Sequence, residues 1–253
     1  MKTVSLATIV RECDRLLKPG TFVDYDGAVN GLQVENRRGI SHIAAAVDAT
    51  RATIRLAAKQ GANLLLVHHG LFWDATHPWT GRHYELIRLL LESDLAVYSM
   101  HLPLDAHPTL GNAAGLARAL RLRQVRPFFM EKGRHLGRQG LLRISRATLG
   151  EHLERVLGAP PTLLAGGGDS CLRIGICTGG AGSHMKTAAA EGVDTFITGE
   201  GPHWTHSQAE DLGLNVFYGG HYATETFGVK SLATALSQRF RIPWSFVDHP
   251  SGL

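Results

Sequence analysis

The sequence predicts an α/β protein of two similar α/β lobes that arose by internal duplication, with a metal site in the cleft between the lobes. Short apolar runs alternate with amphipathic stretches along the 253 residues, as in folds whose strands are joined by helices. Two passages of the chain repeat one pattern of strands, helices and glycine stops. In both passages, histidines and carboxylates stand where apolar runs end.

The predicted elements follow one another in an order typical of βαβ units. An amphipathic helix over residues 4–17 ends at Lys18-Pro19-Gly20. In a middle region, Thr148 is the predicted N-cap of a helix over 149–157, and Glu151 completes a capping box. The other predicted strands are 43–47, 63–67, 96–100, 141–144, 172–177, 195–198 and 216–218. The other predicted helices are 51–60, 84–92, 112–120, 184–191 and 225–237.

The two passages align residue by residue. The segment from Ala57 to Asn63 lies over the segment from Ala188 to Asp194, and in the same register Trp73 falls on Trp204. After one small gap shift, His101 and Asp105 match His221 and Glu225. Any two βαβ units can share alanine-rich helices and glycine stops, but the paired histidine-to-acid spacings favour duplication. The predicted first lobe comprises residues 1–125 with 226–253, and the second comprises residues 126–225.

Composition excludes several classes of protein. No apolar run is long enough for a membrane span, and nothing at the N-terminus reads as a signal peptide, so the cytoplasm is the expected compartment. The three cysteines form no CxxC pair, which argues against a disulfide framework and a thiolate zinc site. The formal charge of +4 is dispersed, with a mild concentration between Arg118 and Arg146. Because no basic run is interleaved with aromatic residues, nucleic acid is not an expected partner.

The adjacent pair His68-His69 is the first candidate for metal ligation. Neighbouring side chains of a regular strand point to opposite faces, but at a strand end opening into Gly70 the chain can turn and both rings can converge. The alternative is one surface histidine and one bonded to a backbone carbonyl. Beside the other histidine and carboxylate positions, ligation is the favoured interpretation.

Asp105 and Glu225 each follow a histidine by four residues. A carboxylate can bridge two cations about 3.5–4 Å apart, as in dinuclear hydrolases. Imidazole and carboxylate ligands suit two divalent ions of zinc, iron, manganese or nickel, whereas calcium prefers oxygen alone. Taken singly, Glu225 could be a first-turn helix acid and Asp105 a turn residue. Neither alternative explains why both acids follow a histidine at the same spacing.

Other polar residues have more than one interpretation. His101 could be a direct ligand, could orient Asp105, or could transfer a proton to the substrate. Asn30 and Gln33 lie in a polar loop that could contact substrate or form a simple turn. His203 and His206 have helical spacing and are secondary candidates for lining the pocket. The remaining histidines, expected at the surface, include His77, His83, His107, His135 and His152.

These motifs together resemble the Nif-three-like dinuclear-metal-centre family, whose bacterial members are often labelled GTP cyclohydrolase 1 type 2 homologues. The chain carries Asn36 where many relatives continue with glycine, and it lacks the large central insertion of longer members. The matching segments extend over nearly the whole chain and are Asn30-Gly-Leu-Gln-Val-Glu35, Val67-His-His-Gly-Leu-Phe-Trp73, His101-Leu-Pro-Leu-Asp105, Ile197-Thr-Gly-Glu200 and Gly220-His-Tyr-Ala-Thr-Glu225.

The resemblance implies a ligand set and an assembly. It implies a toroidal homohexamer whose sites face an internal cavity, so the expected partners are further copies of the chain and a small substrate. It also implies that Glu225 bridges the two metals. The five implied ligands are His68, His69, Asp105, His221 and Glu225.

The predicted function is metal-dependent hydrolysis of a small, nucleotide-like molecule, with ring opening of the GTP cyclohydrolase type as the named candidate. A metal-bound hydroxide would attack the substrate. His101 is the expected proton-transfer residue, Glu225 the second catalytic residue, and Asn30 and Gln33 the expected substrate contacts. The alternatives are a metal-binding scaffold hexamer without turnover, and a dinuclear phosphoesterase or nucleic-acid hydrolase. A catalytic site keeps open coordination positions, whereas a structural site is closed.

Overall fold

The chain folds into two compact units. The computed structural model describes residues 2–73 and 78–253, so that His77 lies outside the described residues. Unit 1 comprises Met1–Leu104 and Gly228–His249, and unit 2 comprises Asp105–Phe227 and Pro250–Leu253. The first boundary therefore falls after residue 104 and not after residue 125. The reason is that the helix following Asp105 packs on the core of unit 2.

Unit 1 is built on a five-stranded sheet of order β1-β4-β3-β2-β11. Its strands are β1 (Gly31–Val34), β2 (Ile43–Asp48), β3 (Leu64–His69), β4 (Ala96–Ser99) and β11 (Trp244–Phe246). Its helices are α1 (Leu6–Leu17), α2 (Arg51–Lys59), α3 (Gly81–Ser93) and most of α10 (Thr226–Phe240). A short helix, α4 (Leu102–Asp105), ends at the first residue of unit 2.

Helix boundaries in unit 1 follow from local chemistry. The Ser5 side chain accepts the Thr8 backbone N–H and begins α1, and Lys18 ends that helix in a left-handed conformation. Thr50 and Thr53 form a reciprocal capping box at the start of α2. The apolar strands β2, β3 and β4 are buried almost throughout, because helices cover a parallel sheet.

Unit 2 is built on a six-stranded sheet of order β5-β6-β8-β9-β10-β7. Its strands are β5 (Arg123–Glu131), β6 (Arg134–Ser145), β7 (Thr162–Ala165), β8 (Ser170–Ile176), β9 (Thr195–Thr198) and β10 (Asn215–Tyr218). Its helices are α5 (Asn112–Ala119), α6 (Arg146–Leu157), α7 (Met185–Ala190), α8 (Thr205–Leu212) and α9 (His221–Thr224). None of the described helices of either unit is long and apolar enough to cross a bilayer.

The core of unit 2 explains the boundary between the units. Buried side chains of α5, among them Ala113 and Leu116, pack in one cluster with Leu149 of α6, Ile174 of β8 and Phe217 of β10. Helix α5 therefore stabilises the second sheet. Helix α6 begins at Ser145, whose side chain accepts the Thr148 N–H, so the predicted cap at Thr148 is wrong by one turn. Ser145 has the same spacing to Thr148 that Ser5 has to Thr8.

Four strands of each sheet share one topology, which supports the predicted duplication. In each unit one strand is followed along the chain by three mutually parallel strands, and the first strand pairs antiparallel with the last. The spatial order is therefore β1-β4-β3-β2 in unit 1 and β7-β10-β9-β8 in unit 2. Ile43 pairs with Leu64 across β2 and β3, and Ile174 pairs with Thr195 across β8 and β9. Each residue of the second pair lies 131 positions after its counterpart in the first pair, and the next two pairs along these strands have the same offset.

A buried amide and a carboxylate hold this register at equivalent positions. Asn63 Oδ1 accepts the backbone N–H groups of Ser41 and His42, at 3.0 and 3.2 Å. Asp194 accepts those of Leu172 and Arg173, at 3.0 and 2.8 Å, again 131 residues later. Each therefore fixes where its first parallel strand starts against the second. Chance similarity of two βαβ units does not require the same side chain-to-backbone bonds at one constant offset.

Candidate metal centre

Three imidazoles converge within unit 1. His68 and His69 are the last two residues of β3, and His101 directly follows the short strand β4 and Met100. Parallel strands deliver such residues to the same edge of the sheet. One potential ligand nitrogen from each of the three histidines lies within 4.8 Å of the other two. The ring centroids of His68 and His69 are 4.8 Å apart, so the adjacent rings converge as predicted.

Each of these imidazoles is held at Nδ1 by an oxygen acceptor. His68 Nδ1 lies 3.0 Å from the Met100 carbonyl, and His69 Nδ1 lies 2.7 Å from Asp48 Oδ1. His101 Nδ1 lies 2.8 Å from Asp24 Oδ1. Because these oxygens only accept, each Nδ1 carries the proton and donates it. Nε2 is then the ring nitrogen that can act as a metal ligand, and a hydrogen bond at Nδ1 is the arrangement that orients histidine ligands in metal sites.

Asp24 anchors the loop that reaches His101. Its carboxylate accepts His101 Nδ1–H, Asn30 Nδ2–H and the backbone N–H groups of Tyr25 and Leu102. Burial alone would raise the pKa of Asp24, but the hydrogen bond and charge of His101, with the bonds from Asn30 and Tyr25, lower it to about 2. Asp24 is therefore a fixed anion that sets the orientation of His101.

Asn30 and Gln33 have their polar atoms engaged inside the protein. Asn30 Oδ1 accepts the His101 backbone N–H at 2.7 Å, while its amide donates to Asp24. Gln33 Oε1 accepts the Leu71 backbone N–H, and its amide donates to the Val29 carbonyl. These bonds place both residues in the support of the histidine cluster. Substrate contact by Asn30 or Gln33 stays a prediction.

Unit 2 contains an imidazole paired with a carboxylate. His221 opens the short helix α9 after β10, and its Nε2 lies 3.2 Å from Glu225 Oε2. His221 Nδ1 lies 2.7 Å from Glu200 Oε1, so this ring is also held from its Nδ1 side. The hydrogen bond with Glu225 raises the pKa of His221, burial opposes the rise, and Glu200 adds to it, giving about 9. A proton therefore competes with a cation for His221 Nε2.

The backbone approaches Glu225 closely because Gly179 has no side chain. Gly179 has a φ of +70°, and a Cβ atom there would lie 2.3 Å from Glu225 Oε1. Its N–H donates to Thr224 Oγ1. The glycine-rich turn after β8 thus packs directly against the carboxylate. A side chain at position 179 would displace Glu225 or the turn.

Asp105 is buried in unit 2, with 8 % of its surface exposed. Its Oδ1 accepts the side-chain amide of Asn112 at 2.8 Å, and Asn112 is itself fully buried on α5. The bond fixes one carboxylate oxygen. His203 and His206 are exposed around the start of α8, so the structure does not bring them into a buried site of unit 2.

The acidic partners of the histidines were not predicted from the sequence. Asp24, Asp48 and Glu200 received no role, although Asp48 ends an apolar strand as the histidines do. Glu200 lies within a segment that resembles the family. The partners are 21 to 77 residues from their histidines in the chain, so no local spacing reveals the pairs.

The donor set of the described residues fits a divalent transition-metal ion. Unit 1 supplies three imidazoles held at Nδ1, and unit 2 supplies one imidazole next to a buried carboxylate. Nitrogen and carboxylate oxygen donors suit zinc, iron, manganese or nickel. The clusters could hold a metal ion. The number and identity of the ions remain predictions.

Comparison with known proteins identifies the family. The family model described as Duf34/NIF3 (NGG1p interacting factor 3) matches residues 4–250. The chain belongs to the DUF34/NIF3 family. It is 39% identical to a protein of Deinococcus radiodurans named GTP cyclohydrolase 1 type 2 homolog, over 97% of this chain and 93% of the relative. A Halobacterium salinarum protein of the same name is 41% identical over 91% and 93% of the two chains.

A solved structure of the same size confirms the fold. The crystal structure of TTHA1606 from Thermus thermophilus superposes with a TM-score of 0.91 at 36% identity, covering 99% of this chain and 100% of the other. The α/β fold predicted from the sequence is therefore confirmed, and so is the resemblance to the DUF34/NIF3 family.

Proposed function

We propose that this DUF34/NIF3 protein is a metal-dependent hydrolase that holds two divalent metal ions through His68, His69, Asp105, His221 and Glu225. The observation that carries the proposal is the Nδ1 bonding of the histidines. All four imidazoles, His101 included, have Nδ1 bonded to an oxygen acceptor. A histidine with only a packing role has no need of this shared orientation.

The side chains have distinct roles in this proposal. His68 and His69 would bind metal through Nε2, with the Met100 carbonyl and Asp48 fixing the rings. Asp105 and Glu225 would supply carboxylate oxygens, with Glu225 as the ligand shared by the two metals. Both carboxylates are buried, so water screens them little.

His101 is the proton-transfer residue in this proposal. Its Nδ1 proton is retained by Asp24, so Nε2 is the atom that takes up or releases a proton near the reacting bond. Trp73 packs edge-on against His101 with ring centroids 4.8 Å apart, which limits movement of the imidazole. The ring is therefore positioned before substrate arrives.

When bound, two such cations would lower the pKa of a coordinated water to about 7 and would polarise the group under attack. The chain's own contribution is to fix the ligands and to place His101. The expected substrate is a small molecule with an electrophilic carbon or phosphorus. The relatives' name, GTP cyclohydrolase 1 type 2 homolog, makes purine nucleotides the first substrates to test.

The experiment is a substrate panel on protein reconstituted separately with zinc, iron, manganese and nickel. The panel contains GTP, other purine nucleotides and phosphodiesters, and product is detected by mass spectrometry. We expect turnover that Glu225→Gln abolishes with the fold intact by circular dichroism. The matched control is Glu210→Gln, an exposed acid of α8 in the same unit. Full activity in Glu225→Gln would contradict the role given to Glu225.

The panel also separates the alternatives. Metal binding without turnover of any compound would favour a scaffold, and turnover of phosphodiesters alone would favour a phosphoesterase. The predicted homohexamer is tested by light scattering on the eluting protein. A monomer that turns over GTP at full rate would show that the assembly is dispensable for hydrolysis.

A further inference from the structure

Positive charge is concentrated in one short segment of unit 2. Nine of the 26 basic residues, but only one of the 22 acidic residues, lie between Arg118 and Arg146. The segment therefore has a formal charge of +8 and the rest of the chain −4, which together give the +4 of the chain. Eight of the nine are arginines. The hairpin of β5 and β6 contains most of this segment.

The structure exposes these arginines along the edge of a sheet. Strand β5 is the outermost strand of the six, and its first five residues are all exposed. Arg123 pairs with Leu141 and Arg126 pairs with Gln139, so the bulge between the two arginines leaves both on one face. Arg121 precedes the strand and is also exposed. We call Arg121, Arg123 and Arg126 the arginine strip.

The strip is not neutralised within the part of the chain that the structure describes. Arg121, Arg123 and Arg126 form no ion pair with an acidic side chain among residues 2–73 and 78–253. Arg126 donates to the neutral side chain of Gln139. By contrast, Arg146 at the end of the same segment pairs with Asp169 at 2.8 Å. The charge of the strip is therefore available to a partner.

We propose that the arginine strip binds the phosphodiester backbone of nucleic acid without reading its sequence. A strand rises about 3.3 Å per residue, so the strip spans about 15 Å and faces several phosphates of one strand. Arginine matches phosphate geometry with two parallel N–H donors. An anionic membrane fits less well, because surface-bound segments are amphipathic helices with large apolar faces. The strip belongs to an extended edge strand.

This proposal replaces the expectation drawn from the sequence, where the basic residues looked dispersed. It does not depend on the proposed hydrolysis, because the strip contains none of the predicted ligands. A different explanation is protection of the edge strand, since charged residues discourage pairing with another sheet edge. Protection requires charge but no affinity for phosphate, so a binding experiment separates the two.

The experiment is fluorescence anisotropy of labelled DNA duplex, DNA single strand and RNA single strand, titrated with the full-length protein at several salt concentrations. The test variant is R121Q/R123Q/R126Q. The matched control is R51Q/R55Q/K59Q, which removes three exposed basic side chains from α2 and gives the same net charge. Thermal unfolding of both variants checks the fold, and the single charge reversal Arg123→Glu serves if the triple variant unfolds early.

We expect wild-type protein to bind at least one of the nucleic acids at about 150 mM salt. The strip variant should bind at least 10-fold more weakly than the control, with a logarithmic salt slope smaller by about 1 for each phosphate that the variant no longer neutralises. Equal losses in the two variants would reduce the effect to net charge and overturn the proposal. Binding to vesicles of anionic lipid but to none of the nucleic acids would overturn it also.

Discussion

In unit 1 three histidines converge and are held by two aspartates and a carbonyl, whereas unit 2 presents one histidine between two glutamates. The backbones beneath these side chains are equivalent. By the 131-residue offset of the first two parallel strands, Gly179 takes the place of Asp48, and Glu200 takes the place of His69. His221 follows its third strand as His101 does.

The duplicated fold retains the acceptors that fix strand register. Asn63 and Asp194 differ chemically but accept the same backbone N–H groups, because strand register requires an acceptor there. The positions at the carboxyl ends of the strands have diverged. Unit 1 presents three imidazoles there, and unit 2 presents one imidazole and two glutamates.

The largest expected effect is at Gly179, which in unit 2 replaces Asp48. Gly179→Ala puts a Cβ atom where Glu225 Oε1 lies and strains a positive φ, so metal affinity should fall by more than about 100-fold. The measurement is metal titration by calorimetry. Gly192→Ala is the control, because Gly192 has a φ of +81° with no atom near its Cβ position. Similar metal affinities in the two variants would show that Glu225 tolerates the intrusion.

The next effect concerns the acids that orient the histidines. Asp48→Ala in unit 1 and Glu200→Ala in unit 2 should each weaken metal binding by about 10–100-fold, because the ring loses the acceptor at Nδ1. Loss should be larger for Asp48, whose side chain is less exposed than that of Glu200. The exposed Glu210→Ala should bind metal as wild type does. An Asp48→Ala variant with unchanged affinity would remove the orienting role.

A third prediction compares the two register-holding residues. Asn63→Ala should lower the free energy of unfolding by about 1–3 kcal/mol, since the N–H groups of Ser41 and His42 and the carbonyl of Gly39 lose their partner. Asp194→Ala leaves the N–H groups of Leu172 and Arg173 and the buried hydroxyl of Thr195 without their acceptor, and should cost a similar amount. Urea denaturation measures both, with the exposed Asp211→Ala as the control. If Asp211→Ala lowered the free energy of unfolding as much as either variant, the role of Asn63 and Asp194 in holding strand register would be refuted.

The smallest effect is a pH dependence confined to unit 2. His221 has a pKa of about 9 in the fold against an ordinary 6.5, so its protonated form stabilises the metal-free protein fully below pH 6.5 and loses that effect as pH rises through 9. Allowing for its partial exposure, this is on the order of 1 kcal/mol, or about 2–4 °C in Tm.

The measurement is thermal unfolding of chelator-treated protein between pH 6 and about 9.5, against His221→Gln. The difference between the two proteins should shrink as pH rises. With saturating metal the trend should reverse, because a cation replaces the proton on Nε2. A pH-independent difference would mean that His221 does not titrate in this range.

Much of the fold could be predicted from the sequence, because buried parallel strands read as continuous apolar runs. Strands β2, β3, β4, β8, β9 and β10 were predicted within two residues at either end. The strands that were missed lie at the edges of the sheets or next to them. Strand β5 has five exposed residues with arginines and Pro127, so no alternation of apolar and polar side chains marks it. Strand β7 has four residues between proline and glycine clusters.

The sequence predicted the histidines of the candidate site but not the acidic residues that hold them. His68, His69 and His221 stand at strand ends, where a single sequence gives a local signal. Asp24 lies 77 residues from His101, and only the folded chain shows that pair. Asn30 and Gln33 were predicted as substrate contacts; the structure shows their polar atoms bonded within the protein, and substrate contact stays a prediction.

The most direct test is the metal content of protein purified without chelator, measured by mass spectrometry for wild type and for the His68→Ala, His69→Ala double variant. The control is His203→Ala, His206→Ala, which removes two exposed histidines. We predict two divalent ions per chain in wild type and in the control, and fewer in the double variant. A double variant that keeps the full wild-type metal content would contradict the assignment of these histidines as ligands.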